Sequence, residues 1–182
     1  MNDLLLLSIL LAGPQHGYAL KKRAGLITGQ AAMHNNVVYP LLRRFVAEKW
    51  VRQRKAAGQR GQTRQMYSLT PRGRRVLVER LGTFGDAEAR SAEAFHLRVG
   101  LFELLPQAVR ADILERRKTY LEEGGAKFAR LEAAMDLGRF GKEVVGFLRE
   151  RTRAELAWID RLRRISGSAQ RKAGIEQGGR PR

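Results

Sequence analysis

Three side chains of the kinds that read base pairs recur at helical spacing in the first half of the chain. Asn36, Tyr39 and Arg43 are three and four residues apart, so a helix would place them on one face. Asn can bond adenine through two hydrogen bonds, Arg can do the same to guanine, and Tyr can reach a phosphate or pack against a sugar. This face is predicted to enter a nucleic-acid groove. The alternative is that Asn35 and Asn36 only cap the helix and that the arginine is solvated.

A second basic group follows in a predicted β-hairpin. Arg60 lies in the glycine-bearing tip over residues 58–62, and Arg64 comes just after that tip. Arginines at a tip that has no apolar neighbours are predicted to contact phosphates or a minor groove. The alternative is a basic loop that serves only solubility.

Lysines on a predicted second helix complete the candidate nucleic-acid interface. Lys21 and Lys22 approach phosphates in this interpretation, and form a solvated edge in the alternative one. The candidate DNA-contacting residues are Tyr18, Lys21, Lys22, Asn35, Asn36, Tyr39, Arg43, Arg44, Arg60 and Arg64.

The charge of the chain points to a polyanionic partner. Lys and Arg number 35 against 18 Asp and Glu among 182 residues, which gives a formal charge of +17 and a pI near 11.3. Residues 1–85 hold 15 of the basic and 3 of the acidic residues, whereas residues 86–165 hold 16 and 14. The first half is therefore expected to meet phosphate, and the nearly neutral second half to meet protein.

The sequence lacks the residues and motifs that several classes of function require. The chain has no Cys, which excludes disulfides, thiolate nucleophiles and Cys-based zinc sites and favours a reducing cytosol. Its three His residues show neither metal-ligand nor catalytic-triad spacing, and no phosphate-binding glycine loop or nucleophile elbow is present. No enzyme activity, cofactor or metal is therefore expected. The apolar run over residues 4–12 is too short to span a membrane, and is interpreted as a buried first helix.

The elements that would position the candidate residues follow a definite order. Apolar periodicity predicts helices over residues 4–12, 17–24 and 35–49, the first of them capped by Asn2 or Asp3. Strands are predicted over residues 50–55 and 63–69, and Thr70 and Pro71 then open a further helix as N-cap and first helical residue. This order predicts a winged helix-turn-helix, so the fold class is mainly α with a small β-hairpin, followed by a C-terminal helical dimerisation domain.

The second half is predicted to be helical. Leu114, Leu121, Phe128 and Met135 repeat every seven residues, which is typical of a helix that packs along another helix. Trp158, in the last predicted helix, is interpreted as core or interface packing, with a stacking wall for a planar effector as the alternative.

Charge and periodicity together predict three regions. Residues 1–85 are predicted to form the winged-helix DNA-binding domain, and residues 86–165 a helical dimerisation or effector domain. Residues 166–182, rich in Gly, Ser, Gln and Arg, are predicted to be a disordered basic tail.

Three blocks of the first half, in this order, resemble the PadR family of bacterial transcriptional regulators. Residues 7–22 are similar to the opening helix and His-Gly-Tyr turn of that family. Residues 39–44 resemble the Tyr-Pro-x-Leu core of its recognition helix, and residues 63–73 resemble its second wing strand and the cap that follows. The C-terminal region, with Trp158, is similar to the longer helical domain of the virulence-activator-like branch.

The resemblance implies a cytoplasmic homodimer in which two winged helices bind a two-fold double-stranded DNA operator. Such family members are usually repressors that a small-molecule effector or another signal releases, and their C-terminal helices, often with the first helix, form the dimer interface. No membrane association is expected. The alternative function that the residues leave open is a nonspecific nucleoid- or RNA-binding basic protein, with steep salt dependence and no sequence preference.

Overall fold

The structure is a computed structural model that describes residues 1–29, 31–57 and 63–177. The chain divides into two compact units, Met1–Thr83 and Phe84–Arg182. Each unit has its own buried core.

The N-terminal unit is a set of helices around a small antiparallel sheet, which confirms the predicted fold class. Its elements are α1 (Asn2–Ile9) with a 3-10 turn (Leu10–Ala12), β1 (Gln15–His16), α2 (Gly17–Ile27), α3 (Asn35–Ala47), β2 (Val51–Ala57), β3 (Thr63–Leu69) and α4 (Pro71–Gly82). The strands are ordered β1–β3–β2, with Gln15 opposite Tyr67 and Val51 opposite Leu69.

Two features of this unit differ from the sequence-based predictions. β1 was not predicted, because a strand of two residues is too short to show alternation; its pairing with β3 makes it a strand. Neither Asn2 nor Asp3 caps α1, whose N-cap position is Met1 without a side-chain hydrogen bond. The predicted cap of α4 is confirmed, since the Thr70 hydroxyl accepts a hydrogen bond from the Gly73 N–H at 3.0 Å.

Asp3 instead joins three helices of the unit. Its carboxylate accepts hydrogen bonds from Arg44 on α3 and, at 2.8 Å, from Arg80 on α4. The Arg80 guanidinium also lies 4.7 Å from the centre of the Trp50 ring. Leu residues of α1 form part of the buried core of this unit, and Leu6 and Leu7 are fully buried. The apolar first helix therefore serves as the core element that the sequence predicts.

The end of α3 sets the direction of the hairpin. Lys49 has a φ of 59°, a left-handed conformation that a non-glycine residue rarely adopts. The Trp50 N–H donates to the Phe45 carbonyl at 2.9 Å and the Lys49 N–H donates to the Val46 carbonyl at 3.0 Å, which is the Schellman pattern. Because the Trp50 ring also packs 5.7 Å from the Phe45 ring, β2 leaves α3 at a fixed angle.

The C-terminal unit is helical, as predicted. Its long helices pack against each other, and Ile113, Leu114 and Ile159 are fully buried. The elements are α5 (Asp86–Arg90), α6 (Ala92–Val99), a 3-10 turn (Phe102–Leu104), α7 (Gln107–Ala134) and α8 (Arg139–Gln177).

Two expectations about these helices need correction. The seven-residue repeat marks buried positions only in its first half, since Leu114 and Leu121 are buried while Phe128 and Met135 are 39% and 54% exposed. The stretch from residue 166 that composition predicts to be disordered is helical as far as Gln177. Ala, Gln, Arg, Lys and Glu, which favour helices, make up much of that stretch. Residues 178–182 lie outside the part of the chain that is described.

Candidate nucleic-acid interface

The face of α3 that carries the polar candidates points away from the core. Asn36 and Arg43 are exposed and Tyr39 is 37% exposed, whereas Val38 and Phe45 on the opposite side are fully buried. The N-cap position of α3 is His34, and no side chain caps this helix end. Asn35 and Asn36 therefore do not cap α3, and their amides remain exposed at its first turn.

Residues of β1, α2, α3 and β3 meet beside this face in one open cleft of about 590 Å³. Tyr18 comes from α2, Tyr39 from α3 and Arg64 from β3, so the structure brings together three residues that the sequence predicted separately. The cleft is lined by His16, Gly17, Tyr18, Tyr39, Arg64, Gln65 and Tyr67.

The turn that opens α2 shapes one wall of the cleft. His16 is the N-cap of α2, and its Nδ1 accepts a hydrogen bond from the Ala19 N–H at 3.1 Å. A Cβ atom at Gly17 would lie 2.9 Å from Cε1 of Tyr39. Glycine at this position therefore lets the Tyr39 ring lie directly over the first turn of α2, and His16 has a structural role.

Tyr67 forms the inner part of the cleft and was missed by the sequence analysis. Its side chain is 7% exposed, and burial raises the pKa of its phenol, with Tyr39 adding to the shift and Arg43 opposing it. The phenol is therefore protonated at neutral pH and can donate a hydrogen bond. An aromatic residue in the predicted strand over residues 63–69 was the available signal, but the cleft beside Tyr67 depends on the unpredicted pairing of β1.

The other candidates have varied surroundings. Lys22 and Asn35 are exposed and Lys21 is half-buried. Arg44, exposed at 47% of its side chain, pairs with Asp3. Arg60 lies outside the described residues.

The hairpin adds basic residues that were not among the candidates. Arg52, Arg54 and Lys55 on β2 are all exposed, and Arg54 and Lys55 lie opposite Met66 and Gln65 of β3. The density of charge between residues 52 and 55 was the available signal. The β2–β3 hairpin is the wing of this unit. With Arg64, these residues give both of its strands a positive surface.

Among the described residues, no three His, Asp or Glu side chains gather closely enough to hold a metal ion. Within residues 1–29, 31–57 and 63–177, no helix is both long and apolar enough to cross a membrane. Trp158 is half-buried, and its ring lies edge-on to Phe95 at 5.7 Å and to His96 at 5.5 Å.

Three helices, a hairpin and a fourth helix, with a polar helix face beside a basic wing, define the winged-helix class of domains. Residues 6–79, most of the N-terminal unit, match the family described as "Transcriptional regulator PadR-like family". The N-terminal unit belongs to this family of transcriptional regulators, which confirms the resemblance of its three sequence blocks. The match ends before the helical unit, so the resemblance of that unit to the virulence-activator-like branch stays a prediction.

The chain is also similar to solved structures. A PadR family transcriptional regulator from Eggerthella lenta is 31% identical over 41% of this chain and 66% of that chain, with a TM-score of 0.35. A PadR family transcription regulator from Clostridium difficile is 24% identical over 43% and 81%, with a TM-score of 0.38. Bacillus subtilis PadR, in complex with operator DNA, is 19% identical over 90% and 98%, with a TM-score of 0.44. No curated protein matches the sequence.

Proposed function

We propose that this PadR-like regulator is a cytoplasmic repressor that binds a two-fold operator as a homodimer, and that a small-molecule effector controls it through the helical unit. One observation carries the DNA-binding part of the proposal. Tyr18, Tyr39 and Arg64 converge on a single cleft, directly beside the exposed Asn36 and Arg43 of α3.

In this proposal, different residues contact the bases and the phosphates. Asn36 and Arg43 can each make paired hydrogen bonds to a base edge when α3 lies in a major groove. The arginines and lysines of the wing, together with hydroxyls of the cleft, supply phosphate contacts that fix the register of α3 on the duplex. Operator selectivity therefore depends on α3, and a large share of the affinity depends on the wing.

We expect Asn36→Ala and Arg43→Ala each to weaken binding to the operator by about 5- to 150-fold, because a paired contact to one base contributes roughly 1–3 kcal/mol. An operator is first selected from random duplex DNA, and affinities are then measured by fluorescence anisotropy at fixed salt. Binding to unrelated DNA changes much less, since its phosphates remain available.

Arg75→Ala is the matched control for Arg43→Ala. Arg75 is an exposed arginine on α4 that does not line the cleft, so its loss removes the same charge from the same unit. Equal affinity for the selected and unrelated duplexes would reject operator binding and favour the nonspecific nucleic-acid-binding alternative.

An unpartnered apolar face on α8 supports the homodimer. Phe140, Val144 and Phe147 lie at positions i, i+4 and i+7 and are 81%, 57% and 63% exposed. A different face of α8, with Leu148 and the buried Ile159, packs on α7. Three large apolar side chains aligned in water are unfavourable, and a second copy of the chain would cover them.

Phe147→Glu should therefore convert the dimer to a monomer and weaken operator binding by at least about 100-fold, because two linked half-site contacts become independent. Sedimentation velocity measures the first effect and DNA binding the second. Arg153→Glu is the control, since this exposed position lies six residues on and about 120° around the helix. If the Phe147→Glu protein remains dimeric, the dimer interface must lie elsewhere.

A further inference from the structure

The helical unit contains a cleft of its own, with a volume of about 310 Å³. Its apolar walls come from both long helices: Leu121 and Phe128 from α7, and Leu148 from α8. Gly124 and Gly125 of α7 form the part of the wall between these side chains. The volume is at the lower end of the range for small-molecule sites.

The two glycines face open space. A Cβ atom at either position would meet nothing within 4 Å, so steric crowding does not require glycine there. Each glycine inside a helix costs about 0.5–1 kcal/mol of stability relative to alanine. α7 nevertheless continues through both of them to Ala134. The sequence thus leaves room in the helix pair where a larger, more stabilising residue would fit.

The charged groups around the cleft differ in whether they form close ion pairs. At its floor, Nε and the second guanidinium nitrogen of Arg117 donate to the two carboxylate oxygens of Glu155, at 2.7 and 3.0 Å. Arg90 and Arg151 also line the cleft, and within the described part of the chain neither forms an ion pair closer than 4 Å.

Glu93 is the remaining carboxylate of the lining, and its own neighbours hold it in place. A hydrogen bond from its backbone N–H lowers the pKa of Glu93 most, and the Ser91 hydroxyl, at 2.9 Å, lowers it further. His96 and Arg151 lower the pKa of Glu93 by smaller amounts, so Arg151 is near enough to interact with this carboxylate. Because local hydrogen bonds already stabilise Glu93, the Arg90 and Arg151 guanidinium groups can still bind a carboxylate from outside.

We propose that this cleft binds a small amphiphilic carboxylate, with its apolar part between Leu121, Phe128 and Leu148 and its charged group beside Arg90 and Arg151. The proposal specifies the location and chemical class of the effector in the proposed function. It rests on that function only for its regulatory consequence, because binding is measurable on the protein without DNA. A cationic amphiphile of the same length would lie beside the same two guanidinium groups and should bind more weakly.

Octanoate is the test probe, and octylammonium and octan-1-ol are its matched cationic and neutral controls. Isothermal titration calorimetry on the full chain should show saturable octanoate binding, with octylammonium at least tenfold weaker. Gly124→Leu should abolish octanoate binding by filling the cleft, and circular dichroism should show that the variant keeps its helices. Arg151→Gln should weaken octanoate at least tenfold and leave octan-1-ol unchanged.

Arg153→Gln is the charge-matched control, because Arg153 is exposed on α8 and does not line the cleft. Absence of saturable octanoate binding would overturn the proposal, as would unchanged binding in both Gly124→Leu and Arg151→Gln, or equal binding of octylammonium. Operator affinity of the unmodified protein without octanoate is measured separately. Failure of that protein to prefer the selected operator would count against the DNA-binding proposal and not against the cleft.

Discussion

Arg117→Met should destabilise the helical unit by about 3–5 kcal/mol, because it leaves the Glu155 carboxylate buried without a counter-ion. Arg117 is 3% exposed and Glu155 is 10% exposed at the side chain, so water cannot replace the lost partner fully. The first guanidinium nitrogen of Arg117 also donates to the Ala89 carbonyl at 2.6 Å. One side chain therefore ties α7 to α8 and to the end of α5, and its loss loosens all three.

Native-state hydrogen exchange of α7 and α8 amides measures this effect for the helical unit alone. The double variant Arg117→Met/Glu155→Met should recover most of the lost stability, since no unpaired charge remains buried. Arg163→Met is the control: it breaks an ion pair with Glu115 between the same two helices at exposed side chains, and should change stability by less than about 1 kcal/mol. Similar losses in Arg117→Met and Arg163→Met would show that burial of the first pair is unimportant.

The order of most helices and strands was predictable because these elements have local signals. Val38, Leu42 and Phe45 recur at helical spacing and are the buried face of α3. Thr70 and Pro71 mark the start of α4 by chemistry that acts within one turn. β1 has no such signal, since its two residues become a strand only through pairing with β3.

The contacts between distant residues were beyond the sequence. Arg117 lies three residues after Leu114, within the seven-residue repeat, but nothing local identifies Glu155, 38 residues later, as its partner. Arg44 was a candidate for DNA contact from its position in α3, while its pairing with Asp3 depends on how α1 packs. Tyr18, Tyr39 and Arg64 were each predicted from type and charge, and their shared cleft follows from tertiary structure.

Gly73 lies at the junction between α3, the wing and α4. A Cβ atom at Gly73 would lie 2.0 Å from the Trp50 carbonyl oxygen and 2.8 Å from its carbon, both of them backbone atoms. The Thr70 hydroxyl donates toward the carbonyls of Lys49 and Trp50, at 2.8 and 2.9 Å, and the Thr70 N–H donates to the Trp50 carbonyl at 2.9 Å. Gly73→Ala must therefore separate α4 from the start of β2 and break this network.

We expect Gly73→Ala to destabilise the N-terminal unit by roughly 4 kcal/mol, above the usual cost of overpacking because backbone atoms cannot turn aside as a side chain can. Hydrogen exchange of α3 and β3 amides measures the loss, and operator affinity should fall with it because Arg43 and Arg64 lose their fixed separation. Gly124→Ala, the same chemical change in open space, should instead stabilise its own unit by about 0.5–1 kcal/mol. A Gly73→Ala protein as stable as the parent would mean that the junction moves freely, and the rigid placement of the wing beside α3 would then have to be abandoned.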